Sequence, residues 1–292
     1  MGKNVYLNGK IIPADEAKIS VNDRGFLYGD ALFETLRSYK KAPFMLKSHL
    51  TRLLESAQDL GFSMNIDAEA IKKAVYEVVE ANDIEDGSLR ITLTRGDSEK
   101  RVLYEQLEQP NLLVTLTSLN THDISSAGTG VKAISGSDKR SAVSNHKNSS
   151  MLASVLSYKE AMDKNAFDMI QITKRGFVTE GTRSNVFIVL DGILLTPPSD
   201  NYVLPGITRK VVLNIAQKNG IKVEEDAIVG QDLPHAEEIF LTNSLYEIVP
   251  VTSFNEEPIA NGSKGEITQK VQNAYKMLVD HWLEQIYARA GN

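Results

Sequence analysis

The order in which the apolar pattern changes its period constrains this chain more than any other feature. VYLNGKIIP places Asn8-Gly9 between two short apolar runs, a strong hairpin signal. FETLRSYKKAPFML continues as strand through a lysine-bearing turn. In SHLTRLLESAQDLG the spacing becomes helical. Leu50, Leu53, Leu54, Ala57 and Leu60 form a stripe, with Ser48 expected as cap and Gly61 as stop. AEAIKKAVYEVVEAN repeats that logic through Ile71, Val75, Val78 and Val79, and SLRITLTRG and NLLVTLTSL then alternate as strands. Strands and helices therefore come in clumps. That order predicts an α+β protein in two domains and argues against one doubly wound sheet.

The boundary is expected where the pattern lapses. NTHDISSAGTG is polar and rich in small residues, so residues 121–130 read as a linker. A small α+β domain would span 1–120 and a larger one 131–292. In the second, VKAIS, FDMIQIT, GFVTEG, NVFIVLDGILLTP and EEIFLTN are strand-like, with a second hairpin turn at Asp191-Gly192. GITRKVVLNIAQKNG reads as a helix ending at Gly220, and GEITQKVQNAYKMLVDHWLEQIY as a long terminal helix.

Composition narrows the functional classes. A net charge of −6 gives no basic excess to drive nucleic-acid or anionic-membrane binding, while leaving room for a local anion pocket. With no cysteine in the chain, disulfides, thiolate catalysis and cysteine-ligated metals are excluded, and no metal site is expected. No apolar run approaches the roughly 18 residues of a membrane span, and the first residues lack a signal-peptide core, so the expectation is a cytoplasmic protein.

One lysine stands out. In NHKNSSMLASVLSYKEAM, Lys147 precedes three helix-starting residues, Asn148, Ser149 and Ser150, and Leu152, Val155, Leu156 and Met162 follow at helical spacing. A helix start is positive, which disfavours an ammonium and favours a neutral amine. A neutral amine is what imine chemistry with a carbonyl needs, whereas most lysines are simply solvated.

Four stretches suit an anion or a ring. LPGITR places Gly206 before a helix whose Ile207 and Thr208 offer first-turn N–H groups. LTNSLYEI puts Thr242, Asn243 and Ser244 at a strand end. Arg52 lies on the polar side of the first helix beside His49. VTEGTRSNVF sets Glu180 beside Gly181 at a strand end, where a pocketed carboxylate would keep a pyridine nitrogen protonated, and Arg183 follows as a carboxylate clamp. Taken singly, each also reads as a plain helix start, a turn or a solvated charge.

Together, DRGFLYGDALFETLR, HLTRL, Lys147 with its trailing KEA, TEGTRSNVF, DGILLTPP, LPGITR and NSLYEIVPV occur in one order along nearly the whole chain. In this the chain resembles the class IV (fold-type IV) pyridoxal-phosphate aminotransferases, the family of branched-chain and D-amino-acid aminotransferases and 4-amino-4-deoxychorismate lyase. The resemblance implies a two-domain fold-type IV enzyme with its site between the domains, the second domain barrel-like. It implies pyridoxal 5′-phosphate in Schiff-base linkage to Lys147, its pyridine nitrogen on Glu180, its phosphate on Arg52, Ile207, Thr208 and Ser244 near Gly206 and Asn243, and Leu204 against its ring. Lys147 would then move a proton from the amino acid's α-carbon, and a 2-oxo acid such as 2-oxoglutarate would take up the amino group.

For substrate contacts the resemblance implies Phe33, with Arg37 supporting the wall, Leu245 nearby, and Arg101 and Arg183 as carboxylate candidates; Arg24 and Arg95 serve structure. Thr35 stands where the branched-chain group has glycine. The D-amino-acid pattern, tyrosine at position 33 and an Arg-x-His pair after TRG, is absent, as is a tyrosine five residues beyond Lys147, at Leu152. The family also implies a homodimer in which a partner loop completes the site. The alternatives are the lyase and a catalytically silent binding protein of the same fold.

Overall fold

The first hairpin forms as its turn residues demand. Asn8 and Gly9 both take positive φ, 47° and 93°, and join β1 (Asn4–Leu7) to β2 (Lys10–Pro13) with Leu7 opposite Lys10. The computed structural model describes residues 2–63, 65, 67–100, 102–140, 143–200 and 202–290. They fall into two compact units, Met1–Asn120 with His146–Met151, and Thr121–Asn145 with Leu152–Asn292.

In the first unit, α1 (Arg24–Tyr28), β3 (Ala31–Tyr39), β4 (Ala42–Pro43), α2 (Leu46–Asp59), α3 (Ala68–Glu80), β5 (Gly87–Thr94) and β6 (Leu112–Ser118) follow the hairpin. The sheet order is β2-β1-β6-β5-β3-β4, antiparallel at every junction. Leu50 and Leu53 of α2 and Ile71, Val75 and Val78 of α3 pack with Leu32, Leu36, Leu89, Ile91 and Val114 of the sheet. Because side chains alternate along a strand, Phe33, Thr35 and Arg37 point to the other face. Ser48 is not the cap of α2. That helix starts at Leu46 because Met45, coming straight off β4, turns through the left-handed region at φ 53°.

The second unit contains α4 (Thr121–Ala127), β7 (Val131–Ser137), α5 (Leu152–Asp163), β8 (Asp168–Ile172), β9 (Val178–Gly181), β10 (Asn185–Leu190) and β11 (Ile193–Thr196). After these come α6 (Ile207–Lys218), β12 (Val223–Glu225), β13 (Glu238–Asn243), β14 (Glu247–Phe254), β15 (Glu257–Pro258) and α7 (Glu266–Ala290). Among the described residues its sheet runs β12-β11-β10-β13-β14-β7-β8-β9, with β15 on β14. β7 lies parallel to both β14 and β8, so the sheet is mixed. Two expectations change here. Residues 121–127 are helix, their polarity explained by a helix of which only Ala127 is buried. In α5 the large residues face outward: Leu152, Val155, Leu156 and Met162 are 71, 56, 52 and 58% exposed. The buried face carries Ser154, Ser157 and Ala161, small enough to let the helix lie close to β8.

Candidate active site

Lys147 belongs to the first unit, not the second, and it does not start a helix. β4 pairs only with Ser38 and Tyr39, so the near half of that edge of β3 is open. Residues 147–149 fill it: the Phe33 N–H donates to the Lys147 carbonyl at 2.8 Å and the Ser149 N–H to the Ala31 carbonyl at 2.9 Å. Since α5 begins at Leu152, the surroundings of the amine come from the sheet edge and not from a helix dipole. Lys147 Nζ lies 4.7 Å from the centroid of the buried Phe33 ring. The Arg90 guanidinium approaches the same ring at 3.8 Å, from the next strand. Burial pushes the Arg90 pKa down.

On the opposite face of β3 stands a buried ionic triad. Arg52 donates from Nε to Glu34 Oε1 at 2.8 Å and from Nη2 to Oε2 at 2.6 Å, while His49 Nδ1 meets Oε2 at 2.7 Å. Burial alone would raise the Glu34 pKa. The Arg52 charge and the hydrogen bonds from His49 and Arg52 outweigh it and hold the carboxyl at about 2. His49 is pushed down by burial, helped by the Arg52 and Lys147 charges against the pull of Glu34. Glu34 is therefore an anion at neutral pH, which makes His49 Nδ1 the donor. Far from being solvated, Arg52 is held along one edge by Glu34.

In the second unit Glu180, next to last in β9, has both oxygens engaged. The Leu204 N–H donates to Oε2 at 2.9 Å and Asn185 Nδ2 at 3.1 Å, and Arg140 Nη1 forms an ion pair with Oε1. Asn185 also holds the Leu204 carbonyl at 2.9 Å. Its Oδ1 lies so near Gly206 that a Cβ there would come within 1.9 Å, so only glycine fits before α6. The start of α6 has no side-chain cap, leaving the first-turn N–H groups of Ile207 and Thr208 aimed outward. Across the β10–β13 pairing Asn185 faces Thr242, whose buried Oγ1 has no hydrogen-bond partner among the described residues. Asn243 shapes the turn that follows, its Oδ1 accepting from the Leu245 and Tyr246 N–H groups at 3.0 and 2.8 Å, with Ser244 between. Uncapped amides beside an orphaned hydroxyl suit a phosphate, and a fixed carboxylate suits a protonated ring nitrogen. These residues fit the cofactor that the motifs imply.

Other expected residues have other partners. The exposed Arg183 guanidinium rests on the Tyr158, Phe167 and Tyr246 rings at 4.4, 4.7 and 5.3 Å and donates to the Phe167 carbonyl. These contacts fix where the guanidinium lies. Arg101 lies outside the described residues. Arg37 stacks on Tyr39 at 4.3 Å and reaches Asp86 at 3.9 Å. Arg24 and Arg95 meet at Asp30, and Arg24 also holds the Val102 carbonyl.

Arg90, Arg140, Asn185 and Asp168 were not anticipated. Asp168 fixes the turn after Glu180, accepting from the Thr182 N–H at 2.9 Å and the Ser184 hydroxyl at 2.7 Å. For Arg90 a signal existed: in the alternating SLRITLTRG it shares a face with Phe33 once β3 and β5 pair. Arg140, Asn185 and Asp168 carried none, because each acts through a tertiary partner.

Known proteins with this pattern are numerous. The family model for amino-transferase class IV matches residues 31–254. A candidate branched-chain-amino-acid aminotransferase of Methanocaldococcus jannaschii is 35% identical over 97% of this chain and 99% of its own. D-alanine aminotransferase of Bacillus licheniformis is 32% identical over 92% of this chain and 95% of its own. Among solved structures, branched-chain amino acid aminotransferase of Escherichia coli superposes with a TM-score of 0.88 at 27% identity, covering 95% of this chain and 94% of that one. The T.th. branched-chain enzyme, solved with N-(5′-phosphopyridoxyl)-L-glutamate, gives 0.84 at 26% identity over 94 and 93%.

Proposed function

The chain belongs to the class IV aminotransferase family and is a transaminase of fold type IV, and on that premise we propose that it uses pyridoxal 5′-phosphate held covalently by Lys147. The observation that carries this is that backbone hydrogen bonds strap Lys147 to the open edge of β3, with its amine against the buried Phe33 ring that Arg90 also contacts.

The cofactor, when bound, supplies the electron sink for the carbanion formed at the substrate's α-carbon. This chain supplies the rest. Lys147 Nζ would hold the cofactor and would move the proton at the substrate's α-carbon. Glu180, anchored by Arg140, Asn185 and the Leu204 amide, holds a proton on the ring nitrogen. Ile207, Thr208 and Ser244 offer donors to the phosphate and Arg52 a guanidinium, with Leu204 against the ring. Arg90, beside Phe33, takes a substrate carboxylate, with Arg183 a second candidate for that role. A carboxylate there suits an α-amino acid paired with a 2-oxo acid such as 2-oxoglutarate.

The working form is a homodimer. The outward apolar face of α5, four large side chains on one stripe, is the kind of surface a second copy covers. No helix among the described residues is long and apolar enough to cross a membrane, in keeping with a cytoplasmic site of action.

Borohydride treatment of the freshly purified protein tests the cofactor assignment. A pyridoxyl adduct is expected at Lys147, with visible absorbance that Lys147→Ala abolishes. Deamination of a panel of L- and D-amino acids with 2-oxoglutarate should then give turnover. An adduct elsewhere, or none, refutes the assignment; aminodeoxychorismate yielding pyruvate while every amino acid fails would make the protein the lyase.

A further inference from the structure

Glu180 is not a lone carboxylate. Arg140, from the loop after β7, donates through Nε to Asp138 Oδ1 at 3.1 Å and through Nη2 to Asp138 Oδ2 at 2.7 Å, and its Nη1 pairs with Glu180 Oε1. Nη2 also reaches Thr179 Oγ1 at 3.1 Å and the Tyr202 carbonyl at 3.0 Å. All three charged side chains are nearly buried, at 6, 9 and 11% exposure for Asp138, Arg140 and Glu180. One guanidinium thus serves two carboxylates, and the three charges sum to minus one.

We infer that Arg140 is a positioning residue that sets the charge felt at the cofactor ring: by neutralising Asp138 it leaves one negative charge, on Glu180, matched to one ring cation. The inference rests on the cofactor assignment above. With Arg140 absent, two buried carboxylates would face each other and the ring would feel excess negative charge. With Asp138 absent, Arg140 would spend its whole charge on Glu180, and the ring would feel too little.

Burial disfavours the charged forms of Asp138 and Arg140, yet their pairing raises the Arg140 pKa and lowers that of Asp138, so that pair stays ionised. Other charges on the packed elements have their own partners. Asp168 of β8 is held by Thr182 and Ser184, Arg209 of α6 pairs with Glu225 at 2.6 Å, and Arg183 lies in its aromatic cage. None of them changes in the variants below.

The pH titration of the bound cofactor's visible band reads this charge directly, because added negative charge favours the protonated chromophore. Arg140→Gln should raise its apparent pKa by about one unit, tenfold in proton affinity, and Asp138→Asn should lower it by a similar amount. Arg140→Lys, which keeps the charge, should stay within about 0.3 unit of wild type. A cluster that only braces the fold would move the melting temperature in all three variants and leave the band in place. Should Arg140→Gln not fold, Asp138→Asn and Arg140→Lys still decide. Shifts of the same sign in the Gln and Asn variants, or no shift in Asp138→Asn, overturn the inference. A band that stays put refutes this inference alone, whereas wild-type protein with no band refutes the cofactor assignment and this inference with it.

Discussion

Glu34→Gln isolates the charge of the buried triad with little change of shape. The wild-type carboxyl is held at about 2 against an ordinary 4.5, which at 1.36 kcal/mol per unit contributes about 3 kcal/mol of stability at neutral pH. Removing one partner of a buried ion pair independently suggests roughly 3–5 kcal/mol. Glutamine keeps an acceptor for Arg52, so the lower figure is the better expectation. The folded pKa is depressed, so this stability is fully present above pH 4.5 and is lost as pH falls toward about 2. Thermal melts across that range should show the variant about 6–12 °C less stable at pH 7, the gap closing as the solution is acidified. A constant gap from pH 7 to pH 3, or a loss under about 1 kcal/mol at pH 7, refutes the assignment of a buried charge pair.

Gly206→Ala should weaken pyridoxal phosphate binding at least about tenfold in equilibrium dialysis, because the new Cβ collides with the Asn185 side chain that holds Glu180 and Leu204. Unchanged affinity would show that this close approach does not shape the site. Leu156→Glu places a charge on the outward face of α5 and should convert a dimer to monomers in light scattering. An unaltered mass would remove α5 from the interface.

Local chemistry was legible in the sequence. Asn8-Gly9 and Asp191-Gly192 form the hairpins their left-handed preference dictates, Gly61 and Gly220 end their helices, and the stripes of α2 and α3 pack as their spacing indicates. LPGITR opens a helix at Gly206, because such signals depend on neighbours in the chain. The order of motifs disclosed the family for the same reason.

What the sequence could not disclose depends on partners far along the chain. Lys147 looked like a helix-starting residue, but an open edge on β3, more than a hundred residues earlier, draws it into the first unit. The apolar spacing of α5 identified a helix and could not say which face turned inward; packing against β8 selected the small residues. Arg52 was expected at the phosphate, but nothing near it in the chain disclosed its pairing with Glu34, and Arg140 had no signature until the fold brought it to Glu180. Sequence periodicity determines which elements form, since propensity and turn geometry act over a few residues. Which charges meet is a property of the tertiary structure, since ion pairing acts through space and leaves no period in the chain.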